Sequence, residues 1–330
     1  MLIFPALLTF LGIILRIDNK FFYWVTILVA ALTSGFRSNV GRDYSVYEDF
    51  FVGKIPVSGV EPGFIILSQA LSYWTDSARL GFLFCSAITL FSIGYFFDRI
   101  CKNHRLLCLH FYLTIPLFFI SSLNLLRNHM SIALMLVCLV FLMEKKRIRA
   151  FLIVALTTSL HFSAPILLGP TLLANKYIKR LIPVLFLFFI ALALFILSYE
   201  ANLFYGTKYD YYLTHESNNS QVLLGIFGVV ALVMFFLSSS SSNMPIKVWI
   251  CAGNFFVFFF IMLWLFSDMG NIWLRVASLF FVSVIVSIAF CLERIKQKLL
   301  KDVVTFNLVL LLFIYFVIKY LVDPSFGYLL

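Results

Sequence analysis

The feature that most constrains this chain is a charged stretch, residues 34–63, in an otherwise apolar first half. It reads SGFRSNVGRDYSVYEDFFVGKIPVSGVEPG and begins where an apolar run, residues 21–36, ends. Charged side chains at the edge of a membrane span are costly unless they have a partner or a function. We therefore expect this stretch to form the centre of a functional site.

Composition sets the class of protein. Hydrophobic residues make up 62% of the 330 residues and charged residues only 12%, whereas a soluble domain is about one-quarter charged. We therefore predict an all-α, polytopic membrane helix bundle of about 10–13 helices, with residues 1–330 forming a single transmembrane domain. The formal net charge of +10 does not indicate nucleic-acid binding, because the cations lie in short loops between apolar runs.

The apolar runs predict where the helices lie. The first run lacks the basic start and cleavage site of a signal peptide, so we interpret it as a short first helix. Residues 61–74 are predicted to form a short amphipathic helix at the membrane surface, and residues 161–165 a hairpin turn or a kink. The predicted spans cover residues 1–15, 21–36, 78–97, 106–121, 126–143, 149–161, 163–174, 181–198, 221–237, 246–266, 272–292 and 303–322.

Lysine and arginine predict the orientation of the chain. Most of the 25 basic residues lie in alternate loops, and loops rich in these residues are usually cytoplasmic. Two extracytoplasmic loops follow: residues 37–77, with short interfacial helices and the active site, and residues 199–220. The predicted cytoplasmic loops are residues 16–20, 98–105, 145–149, 175–180, 238–247 and 293–301.

The residues near the predicted outer ends of the helices indicate the chemistry. The chain has no Gly-rich phosphate loop, no HExxH motif and no Asp-x-Asp pair, so we predict neither a metal nor a cofactor. Arginine binds phosphate oxygens bidentately, so several arginines at the lipid boundary favour a lipid-linked diphosphate. The arginines in question are Arg37, Arg42, Arg127 and Arg275.

Four short motifs, in this order, resemble those of the EpsG family of Wzy-like polysaccharide polymerases. The first and last are the most specific, and the resemblance covers most of the chain in order and spacing. One position departs from the pattern: Asn128 follows Arg127 where we expect Gln. The motifs are Arg37-x-x-x-Gly41-x-Asp43-Tyr44-x-x-Tyr47, Glu61-Pro62-Gly63-Phe64, Leu126-Arg127 and Leu160-His161-Phe162-Ser163-Ala164.

This resemblance implies a multi-pass glycosyltransferase of the bacterial inner membrane, similar to the all-helical GT-C class. Its substrate would be an undecaprenyl-diphosphate-linked oligosaccharide, polymerised on the periplasmic or exterior face into O-antigen, capsule or exopolysaccharide. Membrane lipid surrounds such an enzyme, and a chain-length regulator and a flippase are its expected partners. Nucleic acid is not expected to be a partner.

The implied reaction assigns roles to individual residues. A sugar hydroxyl attacks the anomeric carbon while the diphosphate leaves, so the arginines would stabilise the charge that develops. The attacking hydroxyl needs a base, for which the candidates are Asp43, Glu61 and His161, in that order. Tyr44, Tyr47 and Asn128 are candidates for binding the sugars.

Each candidate also has a structural interpretation. A boundary arginine can extend to the lipid headgroups, Asp43 can cap a helix, and His161 can be a neutral residue at a kink.

Two other functions stay open for the protein as a whole. A flippase would show paired halves and charges near the midplane of the membrane, and an O-antigen ligase would have a larger outer loop.

Overall fold

The computed structural model describes residues 2–17, 19–41, 43–54, 60–74, 77–169, 221–237, 244–266 and 272–322. Within these ranges the chain forms fourteen α-helices and no strands. Four of the helices are long and apolar enough to cross a membrane, and four shorter ones are also apolar. The predicted all-α, polytopic membrane fold is therefore confirmed.

The chain divides into two compact units, one of Met1–Pro165 with Ala289–Leu330 and one of Ile166–Ile288. Most of the predicted site residues belong to the first unit. The helices preceding the division are α1 (Ile3–Ile14), α2 (Lys20–Gly35), α3 (Tyr44–Phe51), α4 (Pro62–Trp74), α5 (Ala78–Ile100), α6 (Arg105–Thr114), α7 (Phe119–Asn124), α8 (Leu126–Met143) and α9 (Arg147–Leu160).

The remaining helices follow in the second half of the chain, and the last of them returns to the first unit. They are α10 (Gln221–Leu237), α11 (Met244–Phe266), α12 (Ile272–Ser278), α13 (Phe281–Glu293) and α14 (Lys298–Val322). In the second unit, Asn254 of α11 hydrogen-bonds Ser283 and Ser287 of α13, and all three side chains are buried. Such bonds between polar side chains hold helices together where no water is present.

Two predicted spans are each divided into two helices. Residues 106–121 form most of α6 and the first half of α7, separated at Ile115, which is extended (φ −83°, ψ 118°). The ring of Pro116 disfavours a helical conformation at the residue before it, which explains this break. The other divided span is 272–292, where a turn at Leu279 and Phe280 separates α12 from α13; nothing in the structure explains that turn.

The segments near residues 61–74 and 161–165 also form as separate elements. Helix α4 begins at Pro62, buries Phe64 and Ser68, and exposes Ile66; its position at the membrane surface stays a prediction. Helix α9 ends at Leu160 and a short 3-10 turn, Ala164–Leu168, follows, so the chain is not one kinked helix here. The predicted span 181–198 and the outer loop 199–220 lie outside the described residues.

Ion pairs join four of the predicted cytoplasmic loops to one another. The loops are 16–20, 98–105, 145–149 and 293–301, or the helix ends beside them, so they lie at the same end of the first unit. The pairs between loops are Arg16–Asp302 (2.9 Å), Lys20–Asp98 (3.2 Å) and Arg99–Glu144 (3.8 Å), and His104 lies 3.8 Å from Glu293. Arg105–Asp98 (3.0 Å) is a further pair within the loop 98–105. The grouping agrees with the charge-based topology.

Candidate functional site

Three residues predicted from separate motifs meet in the first unit. Glu61 Oε2 accepts a hydrogen bond from Arg127 Nη1 at 2.7 Å, and Glu61 Oε1 lies 3.1 Å from His161 Nδ1. Glu61 precedes α4, Arg127 is the second residue of α8, and His161 follows the last residue of α9. We call these three residues the Glu61 cluster.

The members of the Glu61 cluster differ in their accessibility. The side chain of Glu61 is 6% exposed, whereas those of Arg127 and His161 are 26% and 23% exposed. The carboxylate is therefore the buried anchor, and the guanidinium and the imidazole are the groups that a substrate can reach.

Electrostatics keep Glu61 ionised. Burial by itself raises the pKa of Glu61, but the hydrogen bond with His161 and the charge of Arg127 outweigh burial and lower that pKa to about 2. The carboxylate also stands at the start of α4, where the helix dipole favours negative charge. Because a carboxylate of such low pKa accepts protons poorly near neutral pH, Glu61 is better suited to orienting its partners than to acting as the base.

Gly63 allows α4 to approach α9. A Cβ atom at this position would lie 2.8 Å from the backbone carbon of Ser159. Ser159 is two residues before His161, and Gly63 is two residues after Glu61, so this contact sets the separation of the two side chains. The glycine of the Glu61-Pro62-Gly63-Phe64 motif thus has a packing role that spacing alone does not reveal.

Aromatic side chains surround Arg127. Its guanidinium carbon lies 5.4 Å from the centre of the Phe64 ring, and the hydroxyl of Tyr47 hydrogen-bonds Arg127. Tyr47 packs edge-on against Phe64, with the ring centres 6.0 Å apart. Burial raises the pKa of Tyr47, so its hydroxyl stays protonated and neutral. These contacts hold the guanidinium in one orientation.

Arg37 is placed differently. It is 4% exposed, and its guanidinium donates to the carbonyl of Ser34 at 2.9 Å and to the carbonyl of Leu123 at 3.1 Å. These carbonyls belong to the ends of α2 and α7, where a helix leaves such groups without partners. Arg37 also lies 4.5 Å from the centre of the Phe82 ring. These are the contacts of a helix cap; a diphosphate contact for Arg37 stays a prediction.

The first motif surrounds this cap. Gly41 has a φ of +108°, and a Cβ there would lie 3.1 Å from the Leu123 carbonyl oxygen, so the position requires glycine. Tyr44 stacks on Phe82 with the ring centres 4.7 Å apart. Tyr44 and Arg37 therefore both contact the ring of Phe82, which lies on α5.

The remaining predicted site residues lie on several parts of the chain. Asp43 is half-buried before α3, makes no capping hydrogen bond to that helix, and acts electrostatically on Tyr47. Asn128 follows Arg127 and is buried. Arg275 lies on α12 in the second unit, and Arg42 lies outside the described residues.

Two aspects of the site were not predicted from the sequence. Phe64 and Phe82 lie beneath Arg127 and Arg37, yet only Phe64 belongs to a recognised motif. The pairing of Glu61 with His161 was not predicted either, because no sequence signal links positions so far apart. In the described part of the chain, no three His, Cys, Asp or Glu side chains group as a metal site would require.

A comparison with protein families identifies the relationship. The model of the EpsG family matches residues 20–330, which include every member of the Glu61 cluster. Neither the curated proteins nor the solved structures gave a match. Because the family match covers nearly the whole chain, this protein belongs to the EpsG family of Wzy-like polysaccharide polymerases.

Proposed function

We propose that this protein polymerises undecaprenyl-diphosphate-linked oligosaccharides at the Glu61 cluster, on the extracytoplasmic face of the bacterial inner membrane. The family supplies the coarser statement, a membrane polysaccharide polymerase acting on lipid-linked oligosaccharide. The observation that supports the site is the buried carboxylate of Glu61, which contacts a partly exposed guanidinium and a partly exposed imidazole.

Arg127 is the proposed diphosphate ligand. As the glycosidic bond to the donor breaks, the electron pair moves to the diphosphate oxygen, and a fixed cation stabilises the charge that develops there. Arg127 is held by Glu61, Tyr47 and Phe64 before the substrate arrives, so little reorganisation is needed. Arg42 and Arg275 stay proposed as further ligands of the diphosphate, whereas Arg37 has the contacts of a helix cap.

His161 is the proposed base, with Glu61 orienting it. If Nδ1–H of His161 donates to Glu61, the lone pair on Nε2 can accept the proton of the attacking sugar hydroxyl. That oxygen then bonds to the anomeric carbon of the growing chain, and undecaprenyl diphosphate leaves. A carboxylate that fixes an imidazole for this purpose is a recurring arrangement in nucleophilic catalysis.

The remaining proposals concern binding. Asp43 is kept as an alternative base because its charge acts on Tyr47, which contacts Arg127. Tyr44 and Tyr47 offer aromatic faces and hydroxyls for sugars, and Asn128 offers an amide next to Arg127. A chain-length regulator and a flippase are the proposed protein partners.

Complementation of a strain lacking the gene tests the proposal. The wild-type gene should restore long surface polysaccharide, whereas His161→Gln should lower polymerisation by about 10²–10⁴, the usual contribution of a general base. Arg127→Lys should also lose polymerisation, because an ammonium cannot provide the planar fork. Surface polysaccharide and lipid-linked intermediates would be analysed together, with protein abundance checked by immunoblotting.

Arg79→Lys is the matched control, since Arg79 is an exposed arginine near the start of α5. It should retain wild-type chain length. A single capped repeat on the cell surface in the deletion strain supports a polymerase that acts after export. Intermediates retained on the cytoplasmic side would contradict the proposal and indicate a flippase, and a fully active His161→Gln would exclude His161 as the base.

A further inference from the structure

A cavity of about 800 Å³ lies in the first unit, between α4, α5, α8 and α9. Most of its lining is apolar, with side chains at helical spacing such as Ile88 and Phe91 on α5 and Leu134 and Val137 on α8. Phe91 is 38% exposed, so the cavity is open to the surroundings of the helices. An apolar cavity that opens towards membrane lipid suits a hydrocarbon chain.

The two ends of this cavity differ in charge. Gly63 and Leu160 line the end nearest the Glu61 cluster, whereas Arg99, Lys146 and Arg149 line the other. The basic end coincides with the ion-paired loops that the charge pattern places at the cytoplasmic surface. The lining therefore changes from apolar to cationic along the helices.

The basic end carries more positive than negative charge. Glu144 pairs with both Arg99 and Lys146, so three cations and one carboxylate leave a surplus of two positive charges. Their side chains are substantially exposed: 51% for Arg99 and 42% for Lys146. An anionic group at the membrane surface complements this surplus.

The cavity is long enough to hold the acyl chain of a membrane lipid. Phe84 and Arg99 line its two ends on α5, and fifteen residues of helix span about 22 Å. The hydrocarbon of one leaflet is about 15 Å thick, half of a bilayer core. An acyl chain that starts at the basic end therefore passes the middle of the cavity without reaching the Glu61 cluster.

We propose that this cavity binds one phospholipid with an anionic headgroup, taken from the leaflet at its basic end. Arg99, Lys146 and Arg149 bind the headgroup phosphate, and the acyl chains lie along α5 and α8. Helices α4 and α9 form the other walls and carry the ends at which Glu61 and His161 lie. Occupancy by the lipid therefore supports the helix packing beneath the Glu61 cluster.

Lipid titration of the full-length purified protein tests this site. Native mass spectrometry would follow the binding of phosphatidylglycerol and of phosphatidylcholine with identical acyl chains. One phosphatidylglycerol should bind tightly and phosphatidylcholine weakly. The double substitution Lys146→Gln with Arg149→Gln should weaken phosphatidylglycerol binding about 30-fold, because each basic residue near an anionic lipid contributes about fivefold.

The same loop offers a matched control. Lys145→Asn with Arg147→Gln removes two charges from exposed residues that do not line the cavity. Asparagine is chosen because Lys145 has a φ of +60°, which asparagine tolerates. This control should retain most of the binding. Equal losses in both double variants, or equal binding of the two lipids, would overturn the proposal.

Two further measurements distinguish the contribution of the lipid headgroup to binding from that of the acyl chains. Ala70→Phe narrows the cavity from α4 and should prevent the tight binding of phosphatidylglycerol while leaving the basic end unchanged. Ala70→Phe also tests the proposed lipid site if the double charge variant fails to fold. Free glycerol phosphate should not compete with the lipid; effective competition, or undiminished lipid binding by Ala70→Phe, would contradict a role for the acyl chains.

Discussion

Replacing Glu61 by glutamine tests the electrostatic interpretation of the Glu61 cluster. The change keeps the shape of the side chain and removes the charge that pairs with Arg127 and His161. The pKa of this carboxyl falls from 4.5 to about 2 in the folded protein. Because a pKa difference of one corresponds to about 1.4 kcal/mol, ionised Glu61 contributes about 3 kcal/mol to the free energy of unfolding.

The pH dependence has a definite sign. Because the folded pKa lies below the unfolded one, the contribution is complete above about pH 4.5 and is lost as the pH falls towards 2. Glu61→Gln should therefore lower the free energy of unfolding by about 3 kcal/mol at pH 7. At pH 3 the difference from wild type should be clearly smaller.

Unfolding of the purified protein by SDS in mixed micelles, followed by tryptophan fluorescence, measures this difference. Glu48→Gln, which changes an exposed carboxylate on α3, is the control and should leave the unfolding midpoint unchanged. A difference below about 1 kcal/mol at pH 7 would refute the argument, since a solvent-exposed ion pair contributes no more than this. A difference of the same size at pH 7 and pH 3 would refute it too.

Two further predictions concern packing around the site. Arg37→Met should lower the free energy of unfolding by about 3 kcal/mol or more, because two charge-assisted hydrogen bonds to helix ends are lost. Reduced thermal stability and abundance of the variant would show this. A stable but inactive variant would instead favour Arg37 as a diphosphate ligand. Gly63→Ala should force α4 and α9 apart and reduce polymerisation in the complementation assay. The control Gly53→Asn, at an open turn position with φ +73°, should be tolerated. Full activity of Gly63→Ala would show that the close approach of the two helices is not needed.

Much of the architecture follows from the sequence because burial in lipid constrains composition strongly. A spanning helix must be apolar over its length, so runs such as 78–97 and 126–143 predict α5 and α8 closely. The break at Ile115 can also be traced to a local cause, Pro116. The turn between α12 and α13 has no such local signal and was not predicted.

The sequence also determined which residues are candidates for function, since charge and motif spacing can be read directly. It could not distinguish Arg37 from Arg127, as both are arginines at the end of an apolar run. Only the tertiary structure separates them: Arg37 is buried against two backbone carbonyls, whereas Arg127 is partly exposed and paired with Glu61. The physical reason is that burial and pairing depend on contacts between helices distant in sequence: α2, α5 and α7 at Arg37, and α4, α8 and α9 at Arg127.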